Sequence, residues 1–70
     1  MPTAAMLVIG NEILSGKVVD TNSPYLAKQL RELGVDLERI LTISDDVELI
    51  AREVRALSEG FDHVFTSGGI

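Results

Sequence analysis

An α/β fold on a parallel sheet is predicted by three features of this 70-residue sequence. Strand-like and helix-like segments alternate as β-α-β-α-β, most connections are short, and the first strand, Ala5 to Ile9, is apolar throughout. A strand covered by helices on both faces reads as a continuous apolar run. Alternation with short links implies parallel pairing through right-handed crossovers.

The first strand ends at Gly10. From Gly10 to Thr21 the chain is polar and carries a second glycine, Gly16. Connections of this length tend to be functional. A helix is predicted to begin near Ser23, with Ser23 as its cap and Pro24 at the first helical position, where a missing N–H costs nothing. Leu26, Leu30 and Leu33, with Ala27 beside them, form its apolar stripe. Lys28 and Glu32 make an i,i+4 pair on the wet face. Gly34 supplies a left-handed stop.

Val35 to Ile43 reads as the second strand, irregular around Glu38-Arg39. Asp45 followed by Glu48 has the spacing of a capping box. The second helix then buries Val47, Ile50, Ala51, Val54 and Leu57 and ends at Gly60. His63 to Thr66 is the third strand. Tyr25 and Phe61 are expected to pack against the sheet. His63, at the start of its strand, is expected to be structural or at the surface.

Composition narrows the function. The sequence is 46% hydrophobic, as in a packed globular chain and unlike a disordered one. It has no cysteine, hence no disulfide framework and no thiolate metal site. A single histidine means that any metal would rest on carboxylates. The net charge of −5 opposes a general nucleic-acid role, which calls for a basic face. It permits a small phosphorylated ligand, because backbone N–H groups can hold phosphate. No apolar run approaches the ~20 residues of a membrane span, and the start lacks the basic flank of a secretory signal. A cytoplasmic protein is expected.

In a parallel α/β sheet, ligands bind outside the carboxyl ends of the strands. Three segments are expected to meet there: Gly10-Asn11-Glu12, Ser44-Asp45-Asp46 and Ser67-Gly68-Gly69. Each admits a second explanation. Ser67, Gly68 and Gly69 hold a phosphate or a ring edge, or they form a tight turn between strand and helix. They are not a complete dinucleotide fingerprint or P-loop. Asp45 and Asp46 hold Mg²⁺ through water, or they cap a helix, and their spacing favours the cap. Gly10, Asn11, Glu12, Gly16, Asp20 and Asn22 belong to a loop that folds over a ligand, or to one that serves the next helix start. Glu48, Arg52, Glu53 and Arg55 read as a solvated helix face.

A binding loop opened by Gly68-Gly69 needs residues after it, normally a helix whose amino terminus faces the ligand. Residues 1–70 are therefore expected to be the front part of a single larger domain, with the chain ending inside that loop.

Taken together, Ile9-Gly10-Asn11-Glu12-Ile13-Leu14-Ser15-Gly16, Asp20-Thr21-Asn22, Ser44-Asp45-Asp46 and Thr66-Ser67-Gly68-Gly69 resemble the molybdopterin-binding (MoaB/Mog-like) domain. The likeness covers nearly the whole chain. It is nearest to the competence/damage-inducible (CinA) branch, and the same domain type occurs in eukaryotic FAD synthases. The resemblance implies a three-layer α/β/α fold with a mainly parallel sheet. It implies molybdopterin or a nucleotide as ligand, and Mg²⁺ or another divalent cation as cofactor. It also implies a homo-oligomer, and it leaves room for a further domain in the parent protein.

Within that resemblance, Asp45 matches a strand-two aspartate linked to catalysis in molybdopterin adenylyltransferases, as metal ligand or general acid/base. Glu12 is a supporting acid. A second aspartate, which follows the Gly-Gly loop in the family, has no counterpart in these 70 residues. Asn11 stands where many relatives carry Asp; it keeps an acceptor oxygen and loses the charge. The parent protein is expected to be a divalent-metal-dependent pyrophosphatase of ADP-ribose-like substrates or a nucleotidyl transferase. The fragment alone is expected to be inactive. The alternative is a non-catalytic ligand-binding or assembly domain, supported by Asn11. A signalling receiver is disfavoured, because its third strand would end in a phospho-accepting Asp where this one ends in Ser67-Gly68-Gly69.

Overall fold

A computed structural model describes residues 1–68. The elements run β1 (Thr3–Ile9), α1 (Asn11–Leu14), α2 (Asn22–Glu32), β2 (Asp36–Ile43), α3 (Val47–Gly60) and β3 (His63–Gly68). The three strands form one parallel sheet in the order β2-β1-β3. β1 is the central strand, and its residues from Ala4 to Ile9 are all buried. That is why its sequence is apolar without alternation.

Side chains on a strand point alternately to the two faces. Ala5, Leu7 and Ile9 face α3, where they cluster with Ile43 and Leu57; Phe61 and Val64 pack against the same group. Met6 faces α2, and the Ser23 hydroxyl lies 3.6 Å from its sulfur. Helices thus cover opposite faces of the sheet, as the three-layer expectation requires. The chain steps from β1 to β2 on one side, then crosses β1 to reach β3 on the other. The order of the strands therefore reverses between β1 and β3, and in open α/β sheets ligands bind at such a switch point.

Several boundaries differ from the sequence prediction. β1 begins at Thr3, two residues early, and Gly10 to Thr21 contains the short helix α1. The cap of α2 comes from Asp20. Its Oδ1 accepts the N–H groups of Asn22 (3.1 Å) and Ser23 (3.0 Å). Ser23 is inside the helix and buried against Met6, so it cannot serve as the cap. The inward stripe of α2 is Ser23 and Leu30, which are buried, with Leu26 and Ala27 half-buried between them. Tyr25 lies off that stripe and is 67% exposed, contrary to expectation, and Leu33 beyond the last turn is also exposed.

Gly34 ends α2 as predicted, with φ 78°. Val35 N–H donates to Leu30 O and Gly34 N–H to Arg31 O, the paired bonds of a Schellman motif. The predicted irregularity in β2 is a register shift: Ala4 faces Leu37 and Ala5 faces Arg39, so Glu38 is the extra residue.

At α3, the cap is Asp46 and not Asp45. Asp46 Oδ1 accepts the N–H of Leu49 at 3.0 Å. Leu49, Ile50, Val54 and Leu57 pack inward, whereas Val47 and Ala51 are exposed. With a step of about 100° per residue, Ala51 falls a quarter-turn from Ile50. The Lys28–Glu32 pair does not form; the ion pair found among the described residues is Arg52–Glu53 at 4.0 Å. β3 runs two residues further than predicted, so Ser67 and Gly68 continue the ladder opposite Val8 and Ile9. Among the described residues, no helix is long and apolar enough to cross a membrane.

Candidate functional site

The carboxyl ends of β1 and β3 frame a cleft of about 190 Å³. Its floor is Val8 and Ile9 from β1 with Ser67 and Gly68 from β3. Glu12 and Ile13 of α1 form one wall, and residues 18–22 form the other. Water occupies ~30 Å³ per molecule in the liquid, so the space equals about six waters. Pockets for drug-sized ligands run to ~300–1,000 Å³. The space enclosed by the described residues is smaller than that.

Local structure explains why these residues meet. Gly10 N–H donates to Ile43 O at 3.0 Å, which ties the end of β1 to the end of β2. The chain then turns into α1. Gly16, with φ 80°, closes that helix by donating its N–H to Ile13 O, and Val18 N–H returns to Glu12 O at 3.1 Å. This second return folds Val18 and Val19 back over the cleft. Asp20 then turns the chain into α2.

Two glycines are required by close approach. A Cβ on Gly10 would stand 2.7 Å from Glu12 Oε1, because the Glu12 carboxylate lies against the Gly10 Cα. A Cβ on Gly68 would overlap the Ile9 carbonyl oxygen, and Gly68 also has φ 82°. The floor of the cleft can therefore be this tight only with glycine at position 68.

The cleft is lined by apolar and polar groups in similar measure, and its only charged residues among those described are acidic. Ile9, Ile13, Val18 and Val19 supply the apolar part; Glu12 and Asp20 supply two carboxylates. Neither Lys, Arg nor His appears among the described lining residues, and Lys17 stands outside them. The Ser23 side chain, then the N–H groups of Ser23 and Asn22, hold the Asp20 carboxyl below the usual aspartate range, against a smaller opposing effect of burial. Asp20 is thus ionised at neutral pH. A unit negative charge 4 Å from a carboxylate is repelled by about 1 kcal/mol in water and about 4 kcal/mol at the effective dielectric of a protein surface. A bare phosphate therefore enters this cleft at a cost that a cation would remove.

Of the site residues expected from sequence, Glu12, Asp20, Asn22, Ser67 and Gly68 line the cleft. Gly10, Asn11 and Gly16 shape its rim without lining it. The strand-two loop does not reach the cleft. Asp45 and Asp46 are exposed, and Asp46 is engaged as the cap of α3. The loop is linked to the rim at one point, where Asn11 Oδ1 accepts the Asp45 N–H at 3.4 Å. Gly69 lies outside the described residues. Ile13 and Thr21 lie within the segments singled out from sequence without being named as site residues, and Val8, Ile9, Val18 and Val19 were missed as lining residues. The signal for Ile13, Val18 and Val19 was an apolar set in an otherwise polar connection.

Three comparisons bear on this cleft. A family model described as a probable molybdopterin binding domain matches residues 5–70. The chain is 53% identical over 68 residues to a probable FAD synthase of Caenorhabditis elegans, covering 97% of this chain and 13% of that protein. It is 39% identical over 70 residues to a CinA-like protein of Thermosipho melanesiensis, covering all of this chain and 18% of that one. The fold superposes with a TM-score of 0.92 on the crystal structure of CinA, of unknown function, from Thermoplasma acidophilum. That match has 33% identity and covers 99% of this chain and 41% of the other. The chain thus spans a minor part of the length of the relatives it matches.

Proposed function

The chain belongs to the family of probable molybdopterin binding domains, and from that premise we propose that its cleft binds a phosphorylated pterin or a nucleotide. The observation that carries this is the position of the cleft: it opens at the β1/β3 switch point, between Glu12 on one side and Asp20 to Asn22 on the other. The likeness to a probable FAD synthase supports a nucleotide-related role.

The parent protein would act on a phosphoanhydride, either as a divalent-metal-dependent pyrophosphatase of ADP-ribose-like substrates or as a nucleotidyl transferase. Both reactions need charge stabilisation at phosphoryl oxygens. Among the described residues, no three of His, Cys, Asp or Glu come together as a ligand set. Mg²⁺, however, is commonly held by one or two carboxylates and completed by substrate phosphates and water. The residues fit that arrangement. Asp20 is ionised and lines the cleft, and its Oδ1 accepts both backbone cap bonds. Asp45 is a second carboxylate, outside the cleft. A bound cation would supply the positive charge that the lining lacks.

The test is turnover of ADP-ribose by the full-length parent protein with and without Mg²⁺, comparing wild type with Asp20→Asn and Asp45→Ala. Metal-dependent turnover that falls in either variant supports the enzyme reading. Turnover unchanged in both removes these carboxylates from the mechanism. A second reading, ligand binding without catalysis, is favoured by the placement of Asp45 away from the cleft. Ligand binding by calorimetry with no turnover of any pyrophosphate would support it.

A further inference from the structure

We propose that the outer edge of β2 is a surface on which a second copy of this chain could pair, and that the extra residue Glu38 keeps that edge closed. The inference stands apart from the ligand-binding reading.

Among the described residues, β2 has one strand neighbour, β1, and its other side is an open edge. An open edge presents a row of backbone N–H and C=O groups that templates another strand. The residues of β2 suit such pairing. Leu37 and Ile40 to Ile43 are aliphatic or β-branched, and neither proline nor glycine interrupts Asp36 to Ile43. Ile40 is 48% exposed, so apolar surface accompanies the open backbone.

Hydrogen-bond direction shows how the edge is broken. On a strand, the N–H and C=O of one residue point to the same side, and successive residues alternate sides. Asp36 N–H donates to Pro2 O, and Ile43 O accepts the Gly10 N–H. Both residues therefore point to β1, although 36 and 43 differ by an odd number. One extra residue must lie between them, and the register places it at Glu38, since Ala4 faces Leu37 and Ala5 faces Arg39. Counting back from Ile43, Thr42 and Ile40 point outward; counting on from Asp36, so does Leu37. Leu37 and Ile40 are thus neighbours in the outward row but stand three residues apart, where a pairing strand requires steps of two. β3, by contrast, pairs with β1 one-to-one throughout. Bulges are rare in parallel pairs, and on an edge they turn the strand away from a partner. Glu38 and Arg39, both charged and exposed, stand at the break, so a second strand would also have to strip them of water. Any homo-oligomer of the parent protein then assembles through another surface.

The experiment is analytical ultracentrifugation of the full-length parent protein over a range of concentrations. It compares wild type with a variant lacking Glu38, in which Leu37, Ile40 and Thr42 fall into regular steps and every residue from Thr3 to Ile9 keeps its partner. The deletion variant is expected to self-associate about tenfold or more tightly than wild type, because its edge is continuous. Adding Ile40→Lys to the deletion is expected to reverse the gain. Glu38→Gln with Arg39→Gln, which removes both charges and keeps the extra residue, is expected to behave as wild type. A deletion variant that melts cooperatively and associates no more tightly than wild type overturns the proposal. Equal association by the charge-free variant assigns the protection to charge and overturns the role of the extra residue. Two readouts do not depend on the folding of the deletion variant. In wild type, the outward amides of Ile40 and Thr42 are expected to exchange hydrogen faster than those of Leu41 and Ile43; protection of all four shows an occupied edge and overturns the proposal. Ile40→Lys alone, at an exposed position, is expected to leave wild-type association unchanged, and a weakened association overturns it as well.

Discussion

The carboxylate of Glu12 rests against the Cα of Gly10, in the space that a side chain at position 10 would fill. A Cβ there would come within 2.7 Å of Glu12 Oε1. The glycine is therefore coupled to where an acid points. Its φ of 168° is extended backbone that any residue adopts, so the requirement is one of space.

Gly10→Ala should consequently change position more than stability. The obstructing atoms are the far end of a flexible side chain, which can swing away at small cost. The expected loss is under about 1 kcal/mol, within the usual range for substitutions that open no cavity and bury no unpaired group. Chemical denaturation checks this. A large loss would mean that the carboxylate cannot move and that Glu12 is fixed by more than this contact.

Gly68 and Gly16 make a controlled pair. Both have φ near 80°, but a Cβ on Gly68 meets the Ile9 carbonyl whereas one on Gly16 meets nothing within 4 Å. Gly16→Ala should cost about 1 kcal/mol from backbone conformation alone. Gly68→Ala should cost clearly more, because rigid backbone must shift. Thermal melts separate them, since ~1 kcal/mol moves the Tm of a domain this size by roughly 4–8 °C. Equal shifts would contradict the close packing of β1 and β3 at the cleft floor.

The two adjacent aspartates at the start of α3 should behave differently. Asp46 caps the helix, and Asp46→Ala should destabilise by about 1 kcal/mol. The Asp45 side chain accepts no hydrogen bond among the described residues, and Asp45→Ala should stay within about 0.5 kcal/mol. Urea midpoints of the two variants decide the matter; the reverse ranking would restore Asp45 as the cap.

Acid should unfold the protein partly through Asp20 and Asp62. Thr3 N–H and then the Thr3 hydroxyl, with smaller help from His63 and the amino terminus, hold the Asp62 carboxyl below its usual range. Asp20 is lowered by its contacts to Ser23 and Asn22. A depressed folded pKa means that the unfolded chain binds the proton more readily. The stabilisation is therefore complete above the unfolded value of about 3.8 and is lost as the pH falls through the lower folded value. Asp62→Asn should flatten the acid limb of stability against pH. An unchanged acid limb would show that the Thr3–Asp62 clasp does not persist in solution.

Leu7 has no exposed surface and sits at the centre of the cluster with Ile9, Ile43 and Leu57. Leu7→Ala should cost about 2–5 kcal/mol, which for so short a chain is much of the expected stability. A cost near 1 kcal/mol would mean that the core collapses around the missing atoms.

Local chemistry made much of this molecule legible in its sequence. The unbroken apolar run of β1 identified a strand buried on both faces, Gly34 gave the helix stop, and the crowding of glycine and short polar residues marked the strand ends that border the cleft. These features depend on neighbours a few residues away, so the sequence alone determines them. Tertiary structure decided which carboxylates share a cavity. Asp45 stands out in the sequence because it follows a strand and matches a family aspartate; in the fold it is not among the residues that line the cleft and meets its rim through Asn11. Glu12 and Asp20 line the same cleft, and a backbone bond from Val18 to Glu12 folds the intervening loop back towards it. Val18 and Val19 become a wall for the same reason. Such placements depend on the path of the chain through space, and residue type and spacing along the sequence do not encode that path locally.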